Sequence, residues 1–600
     1  MEIEEQIKKL IAEALKALEL PEVEVSLEHP QDEAHGEFSS NVAMKFKVKS
    51  EELKTTTQNL KLDNPRQIAE AIADKLQKGQ TLEGQTLVER VEVAGPGFIN
   101  FYLSDEYYLS MLGEISNGRL LKRVERDGES KKRAIVEYSS PNIAKPFTIG
   151  HLRSTIIGDA IANVLEANGW EVLRDNHLGD WGTQFGKQIC AIKMWGDASR
   201  DYTVKELVEL YVRFHKEAEE QPELEDQARE WFKKLEDGEA QARKLWQKCI
   251  EASWQEFSRI YQTLGVPTHG GFQNNGRGYG ESFFEDKMGA VIGELTEKGL
   301  LKEGEEGAKL VFFPDDKYPP AMILKKDGST LYHTRDLATD KFRKAMFNPD
   351  LTVNEVGAEQ KLYFEQLFEM ERVLGWYHAG QRVHVGHGMF RFARGKMSTR
   401  KGNVIWLQDV LEEAIKRAGV LAKDGSDQGV AEQVGIGALK WNDLKGDPKR
   451  DIVFDWDEIL NMKGNSGPYV QYTYARTQSV LGKSKIKDPT KGAGRQKSNI
   501  VYVPNGEEKA VLRQLARFGE TISRAGEELA PHLVATYIYE LAQRFNTFYN
   551  KHSILGPADD ELKTKNEELK TEFRLALTGA VGQVLKSGLG LLGIQAPEKM

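Results

Sequence analysis

Cysteine is nearly absent from this sequence: Cys190 and Cys249 are the only two among 600 residues. A disulfide framework and a zinc site built from cysteines both need more thiols than this, so the count excludes them. The sequence shows no other cage of metal ligands, and we expect no protein-bound metal. Because a thiol-poor chain without disulfides is typical of a reducing compartment, we predict a cytoplasmic protein.

Long hydrophobic runs are also missing. No stretch of about 18 uncharged apolar residues occurs, so nothing in the sequence should span a bilayer. The start, MEIEEQIKKLIAEALKALEL, predicts an amphipathic helix and lacks the basic start and unbroken apolar core of a signal peptide. With 40% apolar and 29% charged residues, the composition predicts a soluble protein. A chain of this length predicts about three or four domains.

Positive charge is not in excess, since 82 basic and 92 acidic residues give a net charge of −10. That balance disfavours nonspecific binding of nucleic acid, which gains its affinity from phosphate neutralisation. A net value averages over the whole surface, however, so it leaves room for a local basic patch.

The two ends of the chain differ in pattern. We predict an α+β domain over residues 1–105, because two helical stretches precede the alternating run VERVEVAGPGFINFYL, in which the central GPG indicates a turn between strands. Residues 106–130, ending in the charged RVERDGESKKR, are interpreted as a linker. Residues 461–600 contain four long helical stretches and predict an α-helical bundle.

The middle region, residues 131–460, begins with a β-branched run, RAIVEYSS, followed by the helical LRSTIIGDAIANVLEANG and the strand-like WEVLRDNH. This order predicts a βαβ unit, the opening of a Rossmann-type parallel sheet. Helical spacing over 201–260 indicates helical insertions, which we place at about residues 187–325. Strand-like segments, KLVFF and MILKK, return from residue 309 onwards. The predicted fold class is therefore α/β multidomain.

The segment SSPNIAKPFTIGHLRST, residues 139–155, lies between the end of the first strand and the start of the helix. Open α/β sheets bind ligands there, and a helix N-terminus offers free backbone N–H groups to a phosphate. Gly150 permits a ligand to approach the backbone closely, and Lys145, His151 and Arg153 add hydrogen-bond donors. The alternative is a turn with incidental basic residues.

A second basic segment, GKMSTRKGN, occupies residues 395–403. Lys396, Arg400 and Lys401 flank small, flexible residues, as a phosphate-clamping loop requires. On its own, the pattern also fits an ordinary solvated turn.

Together the two segments resemble the HIGH and KMSKS signatures of class I aminoacyl-tRNA synthetases, and the wider sequence is similar to the arginyl-tRNA synthetase family. The matching stretches are HGEFSSNVAM, LGDWGTQFG, YHTRDLATDKFR, VGAEQ, DIVFDWDE, GNSGPYVQYTYAR and the closing LLGIQAPEKM. The resemblance implies an N-terminal domain that contacts the outer bend of tRNA, a Rossmann-type catalytic domain, and a helical bundle that binds the anticodon region.

The resemblance also implies the reaction, which is ATP-dependent ligation of L-arginine to tRNA(Arg) through an arginyl-adenylate, releasing AMP and pyrophosphate. ATP would enter as its Mg²⁺ complex, neither DNA nor a membrane is an expected partner, and a monomer is favoured. Two alternatives stay open: an enzyme with the same H-x-G-H chemistry, either another class I synthetase or a small nucleotidyltransferase, and a synthetase-like tRNA-binding protein with impaired catalysis. Thr148 and Thr399 keep the second open, because they replace a His and a Lys of the signatures.

The motifs and the resemblance together assign four sets of site residues. Catalysis is assigned to Lys145, His151, Lys396, Arg400 and Lys401. Contacts to ATP are assigned to Pro146, Thr148, Gly150, His151, Met397 and Ser398. Recognition of arginine is assigned to Glu137, Asn142, His151, Tyr332, Asp336 and Gln360. Contacts to tRNA are assigned to Tyr469, Tyr474, Arg476 and Met600.

Two acids bear most directly on the choice of amino acid. Glu137 stands in an apolar strand, where an unpaired carboxylate is costly, so it needs a cationic partner that the substrate could supply. Asp336 would share a helix face with Tyr332, one turn away, and is our choice for the guanidinium fork. The alternatives are a charge at the sheet's edge and a solvated surface acid.

Other patterns invite a functional interpretation that we weigh against a structural one. The aromatic cluster around Tyr472 suits stacking on bases, but aromatic residues of a helix core remain the better interpretation for at least half of it. HVGH at 384–387 fits H-x-G-H yet predicts a strand end. GLGLLG at 588–593 fits a dinucleotide motif but follows a helix and leaves no room for a βαβ unit.

Overall fold

The chain forms two units, each held together by its own contacts. The computed structural model describes residues 3–30, 32–46, 62, 64–77, 81–82, 85–116, 131–267, 278–304, 307–326, 328–392, 405–421, 428–484, 502–556 and 564–600. One unit comprises residues 1–122, 473–521 and 537–587, and the other comprises 123–472, 522–536 and 588–600.

The N-terminal part of the first unit mixes helices and strands, as predicted. Its helices are Ile3–Ala17, Pro65–Gln77 and Asp105–Ser116. Its strands are β1 (Phe38–Ser40), β2 (Thr81–Leu82), β3 (Gln85–Thr86), β4 (Val88–Ala94) and β5 (Phe98–Leu103). The predicted strand–turn–strand is confirmed, because β4 and β5 pair antiparallel and β1 adds to the other edge of β5. The predicted N-terminal amphipathic helix is also confirmed and buries Ile7 and Ile11.

The predicted linker at 106–130 overlooks a helix. Residues Asp105–Ser116 are helical, and residues 117–130 lie outside the described part of the chain. The stretch DEYYLSMLGEIS places Tyr108, Met111, Leu112 and Ile115 at helical spacing, and all four are buried. The linker was predicted from the charged residues that follow this helix, although the spacing of its apolar residues already indicated a helix.

Residues 461–600 are mostly helical, as predicted. The helices are Gly467–Lys483, Gly506–Ala516, Phe518–Glu527, Pro531–Lys551 and Lys565–Leu591. Within the first unit, they meet the N-terminal residues through ion pairs. Arg513 lies 2.6 Å from Glu37, and Lys509 lies 2.9 Å from Asp105. The N-terminal residues and parts of these C-terminal helices therefore contribute to the same unit.

The second unit is built on a four-stranded parallel sheet. Its strands are β6 (Arg133–Glu137), β7 (Glu171–Asp175), β11 (Leu351–Gly357) and β12 (Arg382–His387), in the spatial order β12-β11-β6-β7. The predicted βαβ unit is confirmed, because β6 and β7 are parallel neighbours joined through the helix Ile149–Ala167. Residues Ala134, Ile135 and Val136 are fully buried, as expected for a sheet covered on both faces.

The order of the strands decides where a ligand can bind. The chain leaves β6 and returns as β7 on one side, whereas β11 lies on the other side of β6. Connections after β6 and β11 therefore diverge, and a crevice opens at the carboxyl ends of these two strands. The segments that follow Glu137 and Gly357 both begin at this crevice.

Helices and a small sheet interrupt the Rossmann-type core, as predicted. The helices are Thr183–Trp195, Val204–Glu220, Glu223–Glu236, Ala240–Leu264 and Met288–Glu297. The strands β8 (Leu301–Glu303), β9 (Lys309–Val311) and β10 (Ala321–Leu324) form an antiparallel sheet. Ile323 of this sheet packs in one cluster with Leu337 and Leu367.

The remaining elements complete the second unit. Its other helices are Tyr332–Phe347, Lys361–Leu374, Leu407–Leu421, Gln428–Leu444 and Trp456–Ile459. Strands β13 (Phe390–Phe392) and β14 (Ile452–Phe454) form a parallel pair. None of the helices in the described ranges is long and apolar enough to cross a membrane.

Close packing fixes the helix Ile149–Ala167 against β6. A Cβ added at Gly158 would lie 2.2 Å from Cβ of Tyr138, which is itself buried. No rotamer change relieves that contact, since it involves the first side-chain atom of Tyr138. Gly158 therefore sets the distance between the helix and the residue that follows the strand.

We expect Gly158→Ala to destabilise the protein by about 1–3 kcal/mol, because the added methyl has no space without a backbone shift. Gly293→Ala is the matched control, since nothing lies within 4 Å of its added Cβ in the helix Met288–Glu297. It should be neutral or slightly stabilising. Thermal and urea unfolding measure both, and equal melting temperatures for the two variants would contradict the close packing.

Candidate active site

The loop after β6 has an unusual backbone. Ser139 and Ala144 both have positive φ, at 53° and 57°, which costs energy in residues other than glycine. Hydrogen bonds hold this conformation: Oγ of Ser139 lies 2.7 Å from Oγ1 of Thr155, and the N–H of Ala144 donates to Oγ of Ser253 at 2.9 Å. The segment that the sequence singled out is thus a fixed loop at the crevice.

We call the helix Ile149–Ala167 the signature helix. Its first turn fixes the tautomer of His151. The backbone N–H of Thr148 donates to Nδ1 of His151 at 2.9 Å, so Nδ1 carries no proton and Nε2 does. Burial lowers the pKa of His151 below its ordinary value. The ring also stacks on Phe147, with centroids 5.1 Å apart and planes 8° apart. His151 is therefore a neutral, fixed hydrogen-bond donor.

The described residues leave open space in front of this helix turn. Gly150 is exposed, and the nearest atom to an added Cβ would be Oγ1 of Thr148, 3.4 Å away. The hydroxyl of Thr148 lies 3.0 Å from Nδ1 of His151, so it is engaged within the turn. Pro146 and Lys145 are half-buried beside it, and Lys145 has no ion pair with any described residue. A phosphate could approach the helix N-terminus here.

The second basic segment falls outside the described residues, so Lys396, Met397, Ser398, Thr399, Arg400 and Lys401 have no described position. The residues that follow it are placed, and they join the signature helix. The N–H of Ile149 donates to the carbonyl of Ile405 at 3.1 Å, and the N–H of Leu407 donates to the carbonyl of Phe147 at 2.9 Å. These bonds bracket an antiparallel bridge between Thr148 and Trp406.

The suggestion that Arg153 adds a donor for phosphate is wrong. Arg153 is 1% exposed, and its guanidinium pairs with Asp443 at 3.0 Å. It also donates to the carbonyls of Pro448 and Arg450. Two residues along a helix turn the side chain through about 200°, so Arg153 lies on the side opposite His151 and faces the interior.

Glu137 ends β6 at the crevice, and the protein itself supplies its cationic partner. Arg343 donates to Oε2 of Glu137 at 2.5 Å, and Asn354 donates to the same oxygen at 3.0 Å. Arg343 pairs as well with Asp175 and Asp340, all three groups being buried. The expectation that the substrate supplies the partner was therefore incomplete. Oε1 of Glu137 accepts no hydrogen bond from the described residues, and it remains for a ligand.

Asp336 lies one turn into the helix Tyr332–Phe347, as predicted. The hydroxyl of Tyr363 donates to its Oδ2 at 2.5 Å. Burial raises the pKa of Asp336, while the charge of His177 and the hydrogen bond from Tyr363 oppose that shift. The charge of Glu137 is also felt at Asp336, so the two acids face a common region.

Negative charge is in surplus around these two acids. Burial raises the pKa of Glu281 to about 7, although the charges of Arg335 and His177 oppose it. The pKa of His177 is itself raised: its burial acts against the charged form, but Glu137 and Asp336 outweigh that effect. Since Arg343 is already shared by three carboxylates, the region favours an added cation.

Comparison with known proteins decides the family. The family described as tRNA synthetases class I (R), catalytic domain, matches residues 115–456. The arginyl tRNA synthetase N terminal domain matches 5–103, and the DALR anticodon binding domain matches 470–600. An arginine--tRNA ligase of Clostridium acetobutylicum is 41% identical over 551 residues, covering 89% of this chain and 91% of the relative.

The chain belongs to the arginyl-tRNA synthetase family.

Other members of the arginyl-tRNA synthetase family match over the full length. The arginine--tRNA ligase of Halothermothrix orenii is 39% identical, with 100% of each chain covered. The arginyl-tRNA synthetase of Thermus thermophilus has a TM-score of 0.75 at 25% identity, with 100% of both chains covered. That of Plasmodium falciparum shares the fold, with a TM-score of 0.79 at 24% identity and the same coverage.

The other residues assigned to arginine lie around the same crevice. Gln360 is exposed and ends the short turn after β11. Asn142 is exposed and lies over Gly179, whose added Cβ would meet Oδ1 of Asn142 at 2.2 Å. Tyr332 is 66% exposed at the start of its helix. The roles of Asn142, Tyr332 and Gln360 in binding arginine stay predictions.

The residues assigned to tRNA have mixed surroundings. Tyr474 is 2% exposed, so its ring cannot stack on a base in this conformation, and its assignment needs correction. It occupies the inward face of the helix Gly467–Lys483, whereas Tyr472 is 40% exposed on that helix. Arg476 lies 4.6 Å from the ring centre of Tyr549, and Met600 is 40% exposed.

The two decoy motifs are structural, as predicted. His384 and His387 belong to β12, which ends at His387. Burial acts to lower the pKa of His387, but its hydrogen bond with Glu355, 2.8 Å long, outweighs that effect and raises the pKa. GLGLLG overlaps the end of the helix Lys565–Leu591, so a helix and not a strand leads into it.

Sequence reasoning missed Arg343, Asn354 and Tyr363. A signal for Arg343 was present, because it lies seven residues after Asp336 and hence on the same helix face. Tyr363 and Asn354 come from other elements, and only the fold brings them to these acids.

We expect the two histidines to titrate on opposite sides of their ordinary value. His151 should stay neutral until the pH falls below 6.5, because burial disfavours its charged form. His387 should remain charged above pH 6.5, because Glu355 stabilises the imidazolium. NMR of labelled histidine, assigned with His151→Gln and His387→Gln, measures both. A titration of His151 at a higher pH than that of His387 would contradict these opposite shifts.

Proposed function

We propose that this protein charges tRNA(Arg) with L-arginine. The carboxylate of arginine attacks the α-phosphate of ATP, and pyrophosphate leaves to give arginyl-adenylate. A terminal ribose hydroxyl of tRNA then takes the arginyl group, and AMP leaves. One observation carries the proposal: a family match over the whole length coincides with a crevice that has an exposed helix N-terminus on one side and surplus carboxylates on the other.

The nucleotide half of the crevice suits a phosphate. The N–H of Gly150 at the start of the signature helix, the Nε2–H of His151 and the cation of Lys145 would meet ATP, which enters as its Mg²⁺ complex. The open side of Gly150 would admit it, with Pro146 and Thr148 beside it. We assign Lys396, Met397, Ser398, Arg400 and Lys401 to the same phosphates from the sequence alone. Such a site works by alignment and charge stabilisation, without a covalent intermediate.

The amino-acid half suits a guanidinium. Arginine carries a planar, always charged fork that a carboxylate matches with paired hydrogen bonds. We assign the fork to Asp336 and a second negative contact, to the guanidinium or the α-ammonium, to Glu137. Asn142, Tyr332 and Gln360 would complete the pocket, and His151 would contact arginine as well as ATP. Lysine would leave part of this arrangement unpaired, which discriminates strongly in a buried site.

We assign residues 1–105 to the outer bend of tRNA, 131–460 to catalysis and 461–600 to the anticodon region. Tyr469, Arg476 and Met600 remain proposed contacts to tRNA, whereas Tyr474 is withdrawn because it is buried. The proposal also places the reaction in the cytoplasm and in a monomer.

Arginine-dependent charging of tRNA(Arg), followed with ATP–pyrophosphate exchange in the presence of tRNA, tests the proposal. Asp336→Asn should raise the Michaelis constant for arginine at least tenfold, about 1.4 kcal/mol, and leave that for ATP little changed. Asp350→Asn is the control, since Asp350 lies at the amino ends of the strands, away from the crevice. There its side chain accepts a hydrogen bond from the N–H of Arg133 at 2.8 Å. Absence of charging, or equal losses for both substrates, would count against it.

Lys145→Ala should lower the rate of arginine activation about a hundredfold, the scale of losing one preorganised charge. The structure leaves Lys145 without an ion pair in the described chain, so it is available to a phosphate. Lys132→Ala is the matched control, because Lys132 precedes β6 at the other end and lies 5.6 Å from the ring centre of Trp170. An activation rate within about threefold of the parent would remove Lys145 from the mechanism.

A further inference from the structure

Tyr363 contacts Asp336, the acid assigned to the guanidinium. It lies in the first turn of the helix Lys361–Leu374, outside every motif considered in the sequence. Its hydroxyl is 2.5 Å from Oδ2 of Asp336, and Asp336 accepts no other side-chain hydrogen bond from the described residues. Oδ1 of Asp336 is thereby left for a ligand.

The ring of Tyr363 has little freedom to move. It stacks on His333, with centroids 4.4 Å apart and planes 30° apart, and meets Phe364 edge-on at 5.4 Å. Burial lowers the pKa of His333 to about 4, so this neighbour is uncharged near neutral pH. Packing therefore aims the hydroxyl at Asp336 without an ion pair.

The hydroxyl is a donor under all ordinary conditions. Burial and the charge of Asp336 raise the pKa of Tyr363 well above its ordinary value, so the proton stays on the phenol. The bond therefore runs from Tyr363 to Oδ2 of Asp336, where it favours the ionised carboxylate, and hydrogen bonds to a charged acceptor are the stronger kind.

We propose that Tyr363 is a positioning residue for arginine recognition, which acts by fixing the orientation of Asp336 and keeping that carboxylate ionised. The proposal rests on the proposed function, since it assigns Tyr363 to the arginine half of that site. Tyr363 touches no reacting atom, so it should affect binding of arginine and leave the chemical step alone.

Ionisation of Asp336 depends on the groups that face it. These are Glu137 from β6, His177 after β7, Glu281 from the insertion, Asp340 from its own helix and Tyr363. Burial, Glu137 and Asp340 raise the pKa of Asp336, whereas His177 and Tyr363 lower it. Removing the hydroxyl should raise that pKa further. Because the ionised form binds the guanidinium, affinity would then be lost at a higher pH as the solution is acidified.

Tyr363→Phe tests the proposal, because it deletes one oxygen and keeps the stacked ring. At pH 7, the Michaelis constant for arginine should rise about tenfold, with kcat and the constant for ATP changed less than about twofold. The acid limb of kcat/KM for arginine should move to higher pH. Tyr202→Phe is the matched control, since it also deletes a buried hydroxyl, one that donates to the carbonyl of Asp197 at 2.9 Å.

A double variant separates positioning from a general loss of structure. In the Asp336→Asn background, Tyr363→Phe should add less than about twofold to the arginine constant, because residues that act through one another are not additive. Additive losses, or an unmoved acid limb in Tyr363→Phe, would overturn the proposal while charging by the parent still supports the proposed function. If the parent itself does not charge tRNA with arginine, the proposed function fails first.

Discussion

The buried guanidinium of Arg343 is the interaction on which the crevice depends. It reaches Glu137 at the end of β6, Asp175 at the end of β7 and Asp340 in its own helix. One cation thus ties two adjacent strands to the helix that carries Asp336. Removing it would leave Glu137 and Asp175 without this ion pair, whereas Asp340 would keep Arg382 at 2.7 Å. Uncompensated buried charges are among the costliest faults in a protein interior. The acid surplus can exist because this cation holds it together.

The two halves of the crevice present opposite electrostatic character. The side near the signature helix presents a helix N-terminus and a neutral imidazole, and Lys145 is the full positive charge that the described residues place there. The other side presents carboxylates that are already oriented. Their sequence origins differ, because the first half is one continuous segment and the second is assembled from several elements.

That difference explains how much of the site could be predicted. Residues 139–155 are contiguous, so a strand end, a glycine and a helix start could be recognised together, and the placement of His151 followed. Glu137 and Asp336 could be named, but Asn354 and Tyr363 come from a later strand and helix, and nothing local marks their contacts. Arg153 misled because a basic residue in a signature segment suggests a ligand contact. Its position on the inner helix face became evident only once Asp443 was placed. Tyr474 failed for the same reason, since aromatic side chains serve a core and an RNA surface equally well.

The bridge between Thr148 and Trp406 has a consequence for how the sequence can vary. The bonds on either side of it run between main-chain atoms, as in any strand pair, and ask nothing of the side chains at these two positions. The join between the start of the signature helix and residues 405–407 is therefore insensitive to substitution at the position where the family signature has its first His. A threonine at 148 can alter the side-chain chemistry of that position without loosening the join. The residue at this signature position can thus change while the backbone pairing of residues 148 and 406 is kept.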